Sequence, residues 1–140
     1  MNELKINYLA VLACVVFLHA LGFVWYGPLF GEPWMAMVGL DMAALEANPP
    51  GAGVWITNLI SSVASVYMLA WVLAKMNVTS GVRGAVMGFL LSFTFHHLTE
   101  MNGNGFAMMP YRLAWITGGF SLVGMAVSGF ILGAWPKKAG

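Results

Sequence analysis

Long apolar runs alternate with short polar stretches along the whole chain. No charged residue interrupts positions 6–31, 47–74 or 113–136, and Glu100 is the only charge within 84–101. A helix crosses the hydrocarbon layer with about 20 mostly apolar residues. The runs therefore predict four spans, at about residues 6–26, 53–74, 84–101 and 113–135. The first has a weakly charged start (Glu3, Lys5) and an apolar run too long for a signal sequence, so it reads as a membrane helix. Between the first two spans, Gly27-Pro28 breaks a helix. A short helix is expected to start with Pro33 at its first position and to end at Gly39. Asp41 is placed to cap another over 42–47, which Pro49-Pro50 stops. This segment is expected to lie flat on the membrane surface or to fold back over the bundle. Asn102-Gly103-Asn104-Gly105 reads as a mobile loop without regular structure. The prediction is a single all-α domain over 1–140, an integral membrane four-helix bundle with a short interfacial helical segment in the first outer loop.

Composition agrees with the pattern. Of 140 residues, 60% are hydrophobic and 8% charged, whereas a soluble domain carries about 25% charge. Disorder is excluded by the same figures. A net charge of +1 offers no field for nucleic acid. The single cysteine, Cys14, permits no intrachain disulfide and reads as a small hydrophobe facing lipid or the core. The placement of the few charges orients the chain. Lys5, Lys75, Arg83, Lys137 and Lys138 fall on one side and Arg112 alone on the other, which predicts both termini in the cytoplasm of a bacterial inner membrane.

Lipid gives no hydrophobic drive for helix association, so small residues and interhelical hydrogen bonds must supply it. Ser80, Gly84, Gly88, Ser92, His96 and Glu100 recur every four residues in the third span. Thr117, Ser121, Met125, Gly129 and Gly133 do so in the fourth, and Thr57, Ser61 and Ser65 in the second. Gly84, Gly88, Ser92, Ser121, Gly129 and Gly133 are the expected packing residues, within one bundle or between subunits.

Every span also carries a polar side chain into the outer half of the membrane. His19 lies ~10 Å from the outer end of the first span, and His96 and His97 lie ~7 Å from that of the third. Asn58 and Thr117 sit at comparable depth, and Glu100 is one turn above His96. Ionisable groups at such depth usually face the bundle interior. His19, Asn58, His96, His97 and Glu100 are thus the candidate ligand-binding residues. His19, His96 and Glu100 form a candidate set for a divalent metal, two histidines suit haem, and neutral histidines suit a quinone or a proton relay. The competing reading is a hydrogen-bonded polar plug. His96 and His97 diverge by ~100° on a helix, so His97 is expected to meet a neighbouring helix, a second subunit or the headgroups. Met35, Met37, Met42, Met101, Met108 and Met109 collect near the outer side, where thioethers suit Cu(I) or an adaptable apolar surface. No catalytic motif is present, and no catalytic residue is assigned.

The runs Ile6-Asn7-Tyr8-Leu9-Ala10-Val11-Leu12 and Trp25-Tyr26-Gly27-Pro28-Leu29-Phe30-Gly31-Glu32-Pro33-Trp34-Met35 are distinctive. With Gly39-Leu40 and Ile131-Leu132-Gly133-Ala134-Trp135, they resemble the bacterial membrane proteins called domain of unknown function 1761. The resemblance implies four membrane helices and carries over no functional residue. It rests on the first span, its loop and the last helix end, and not on Phe95-His96-His97-Leu98-Thr99. Three functions remain open at this level. The first is a non-enzymatic homo-oligomer or accessory subunit of a membrane complex. The second is a binding protein for a metal, haem or quinone, and the third is a small oligomeric transporter or channel.

Overall fold

A computed structural model describes residues 3–138. The architecture is all-α. Helix α1 (Tyr8–Val24) runs into a π-helical turn, Trp25–Leu29, and is followed by α2 (Gly31–Val38), α3 (Met42–Ala47) and α4 (Ala52–Lys75). Helix α5 (Gly81–Ser92) continues through a second π turn, Phe93–His97, into α6 (Leu98–Phe106), and α7 (Tyr111–Ala134) closes the bundle. Three helical stretches, Tyr8–Leu29, Ala52–Lys75 and Tyr111–Ala134, are long and apolar enough to cross a membrane. The α5–α6 rod runs antiparallel beside α7 and packs against it.

Local chemistry explains the ends. The Asn7 side chain accepts from the amides of Leu9 and Ala10 at 3.1 and 3.2 Å, which caps α1. Its Nδ2 donates to the Trp135 carbonyl at 3.2 Å, tying the start of α1 to the end of α7. Beyond that tie, β1 (Leu4–Lys5) and β2 (Lys137–Lys138) pair antiparallel, so both chain ends meet at one end of the bundle. The sequence pattern did not foretell this clasp, because two-residue strands carry no periodicity.

Gly39 ends α2 in the left-handed region (φ 74°), and the Asp41 carboxylate accepts from the Ala44 amide at 2.6 Å to open α3. Helix α2 starts at Gly31, two residues before the expected position, so Pro33 is not its first residue. A Cβ at position 31 would stand 2.6 Å from the Tyr26 carbonyl, and this close approach requires glycine.

The expected mobile loop at 102–105 is a correction. Those residues are helical, and α6 extends to Phe106. The terminal carbonyls are met in sequence: Ala107 N–H donates to Gly103 at 3.0 Å, Met108 to Gly105 at 3.2 Å and Met109 to Asn104 at 3.0 Å. Met108, at φ 56°, takes the left-handed position that closes the helix. A methionine there gives no readable stop signal, whereas the Asn-Gly pairs gave a misleading one.

Helix α7 is the centre of the bundle, with 44% of its most apolar window buried against 28% in α1 and 22% in α4. On one face it meets α5. A Cβ on Gly84 would strike the Gly129 carbonyl, one on Gly88 the Met125 carbonyl, and one on Gly133 the Ser80 carbonyl. The two small-residue stripes are therefore consumed inside one chain, where they let two backbones touch. Ser92 and Ser128 are buried with them. On another face α7 meets α1. The buried Cys14 thiol donates to the Ser128 carbonyl at 3.6 Å, and Trp25 Nε1–H donates to the Ile116 carbonyl at 2.9 Å.

Helix α4 joins only through its C-terminal half, where Val66, Leu69, Ala70 and Leu73 pack with Val11, Cys14, Val15 and Leu132. Residues 51–61 are exposed along their whole length. The Thr57-Ser61-Ser65 stripe is accordingly turned outward and does not pack within the chain. The result is a bundle closed at the clasp end and open between α1 and α4 at the other.

Candidate functional site

The opening between α1 and α4 is a cleft of about 460 Å³. That volume falls within the usual range for small-molecule sites, ~300–1,000 Å³. Helix α1 contributes His19, the π turn that follows it contributes Tyr26, α4 contributes Trp55, Asn58 and Ser62, and α7 supplies Phe120. The walls are aromatic and apolar, and the polar groups lie along one line of α4 and one turn of α1. Ser62 follows Asn58 by four residues and so shares its face. The Ser62 hydroxyl donates to the Asn58 backbone carbonyl at 2.9 Å, while the Asn58 carboxamide makes no side-chain hydrogen bond among the described residues.

His19 is oriented by its own helix. Its Nδ1 lies 2.8 Å from the Val15 carbonyl oxygen, which only accepts, so Nδ1 carries the proton. In the neutral ring Nε2 is then a bare acceptor. His19 and Asn58 are exposed along the cleft rather than buried in the bundle.

The other candidates lie elsewhere. His96 is about half exposed on the outer surface of the α5–α6 rod, with Nδ1 3.6 Å from Glu100 Oε2 one turn away. The other Glu100 oxygen accepts from the Thr117 hydroxyl of α7, which also bonds back to the Leu113 carbonyl at 3.0 Å. His97 is fully buried, and neither ring nitrogen has a hydrogen-bond partner among the described residues. It stacks on Phe93 at 5.6 Å and tilts against Trp115 at 4.5 Å. A Cβ on Gly118 would overlap its Nδ1. The π turn at Phe93–His97 inserts one extra residue, and this places His97 against α7 while His96 faces outward.

The expected single polar level is thus two separate groups. Helices α1 and α6 pack on different faces of α7, so His19 does not join His96 and Glu100. Among the described residues no three His, Cys, Asp or Glu side chains gather to hold a metal ion. The His19–His96–Glu100 metal set, and a haem held between His19 and His96, are not assembled within one chain. Position along each helix was legible in the sequence, but the azimuth that separates the groups is set by which stripe packs. Trp55, Ser62 and Tyr26 were missed as cleft residues. The four-residue step from Asn58 to Ser62 was the available signal for one of them.

Long apolar helices around a central small-residue pairing, with a cleft opening between two of them, define a helical integral membrane protein. Within that class the chain belongs to the family described as a protein of unknown function (DUF1761), which matches residues 9–133. No curated protein and no solved structure matches it.

Proposed function

We propose that this is a non-catalytic membrane protein that binds an amphipathic small molecule in the α1–α4 cleft. One observation carries the reading: a bare His19 acceptor and an unbonded Asn58 carboxamide face the same apolar opening at membrane depth. An amide left without a hydrogen bond in an apolar medium costs roughly 2–7 kcal/mol, so a bound molecule that meets both groups is strongly favoured. The ligand class follows from the donors and acceptors. A hydroxyl donates to His19 Nε2, a neighbouring oxygen accepts from Asn58, and Trp55, Tyr26 and Phe120 flank a flat ring. A hydroquinone with an alkyl tail has this form. The antiparallel clasp of Leu4–Lys5 with Lys137–Lys138 lies at one end of the bundle, which supports an even number of crossings. The basic residues near that end support a cytoplasmic location for it in a bacterial inner membrane.

A decyl-substituted hydroquinone is the probe for this reading. A ligand at a hundred times its Kd stabilises the fold by about 2.7 kcal/mol. The hydroquinone is expected to raise the melting temperature of the wild type and not that of His19→Ala. Decylbenzene, which lacks the hydroxyls, is expected to raise neither. Equal shifts from both compounds, or an undiminished shift in His19→Ala, overturn the proposal.

A second reading is favoured by the outward face of α4. Thr57, Asn58, Ser61 and Ser65 present polar groups to the lipid along one side of that helix. In a membrane such faces associate through close packing and hydrogen bonds. On this reading the protein is a homo-oligomer or an accessory subunit, and a partner helix covers the cleft. An oligomer is also the form in which a transport path would exist.

A further inference from the structure

Away from the clasp, a second groove of about 590 Å³ opens between α2 and the start of α7. Phe30, Pro33, Met37, Trp115 and Ile116 form its apolar walls, and Arg112 stands at its edge. We infer that this groove holds the acyl chain of an anionic glycerophospholipid, with Arg112 on the phosphate. The groove is open, and Arg112 is exposed and makes no ion pair among the described residues. It is also separated from the other basic side chains, since Lys5, Lys137 and Lys138 lie in the clasp at the opposite end.

Position and chemistry agree. Arg112 is the second residue of α7, whose preceding Pro110 provides no side-chain cap. The uncapped first turn adds a modest attraction for an anion beside the guanidinium. A guanidinium binds phosphate through two parallel hydrogen bonds, and in a zwitterionic headgroup the cation beside the phosphate opposes the guanidinium charge. The walls are preformed. Trp25 and Phe30 pack at 4.7 Å at one end, and the buried His97 ring holds Trp115 at 4.5 Å at the other. Helix α2 thereby gains a reason for its place: it forms one wall of a lipid groove. Its Met37 supplies a flexible apolar contact of the kind that adapts to different chains.

The test uses the full chain purified in mild detergent, with defined lipids added back and retained lipid counted by native mass spectrometry. The probes are phosphatidylglycerol and phosphatidylcholine of identical acyl composition. Wild type is expected to retain phosphatidylglycerol in preference by about tenfold, the scale of one charge-assisted contact. Arg112→Gln is expected to abolish that preference. Met37→Trp, which fills the groove, is expected to release the tightly held lipid with Arg112 still present. Arg83→Gln, at the opposite end of the bundle, is expected to change nothing. Equal retention of the two lipids by wild type overturns the inference. A preference that survives Arg112→Gln, or one that Arg83→Gln removes equally, does the same.

Discussion

Gly129→Ala lowers the melting temperature of the protein sharply, whereas Gly53→Ala leaves it nearly unchanged. The new methyl at position 129 meets the Gly84 carbonyl, a backbone atom that no rotamer change can move. The α5 and α7 backbones must separate, and the matching contacts at Gly88–Met125 and Gly133–Ser80 loosen with them. Overpacking of this kind costs about 1–3 kcal/mol, occasionally more. The added methyl offers no compensating hydrophobic gain from association, because lipid is as apolar as the interface. Gly53 has nothing within 4 Å of its Cβ position, so alanine there tests glycine removal without collision. Thermal unfolding in detergent, followed by tryptophan fluorescence, measures both. Equal melting points for the two variants would mean that the α5–α7 pairing is not the seam that holds the bundle.

Thr117→Val is the second large effect, expected to destabilise by about 1–3 kcal/mol. Valine keeps the shape of threonine and removes the hydroxyl that donates to Glu100. The other Glu100 oxygen is buried without a hydrogen bond, and the half-exposed His96 ring lies 3.6 Å from it. Loss of the Thr117 donor therefore leaves a carboxylate with no short partner at the edge of the membrane. Thr57→Val provides the comparison, since that hydroxyl is exposed and donates only to the Gly53 carbonyl of its own helix at 2.8 Å. Chemical denaturation of both variants reads the difference. A Thr117→Val protein as stable as Thr57→Val would show that Glu100 needs no help from α7.

These two predictions rest on features that differ in how far they could be read from sequence. The glycine stripes were legible because the four-residue step and the absence of side chains together specify a face and a distance. The positions of His19, Asn58 and Glu100 along their helices were legible for a similar reason: rise along a helix is fixed at ~1.5 Å per residue. Their grouping was not. Whether His19 meets Asn58 or His96 depends on which face of α7 each neighbour takes. The first π turn and the Phe93–His97 turn also shift the azimuth by a residue with no marker in the pattern beyond Gly27-Pro28. The inward orientation expected of ionisable residues failed at His19 because α4 packs through its C-terminal half alone, and at His96 because the Phe93–His97 turn sets His97 against α7 instead. That asymmetry has a trace in sequence, since Leu69, Ala70 and Leu73 follow an apolar stripe that Thr57, Asn58 and Ser61 do not continue.

The same asymmetry makes the cleft the central claim, and Trp55 is the residue best placed to report on it. It is 62% exposed and lines the opening beside Asn58. A photo-activated benzoylphenylalanine in its place, irradiated in the native membrane, captures whatever occupies the site. Proteolysis and mass spectrometry of the labelled α4 peptide then give the mass of the adduct. The expected result is a single small-molecule adduct that disappears when His19→Ala and Asn58→Leu are introduced together. An adduct consisting only of phospholipid, or of α4 from a second copy of the chain, contradicts it.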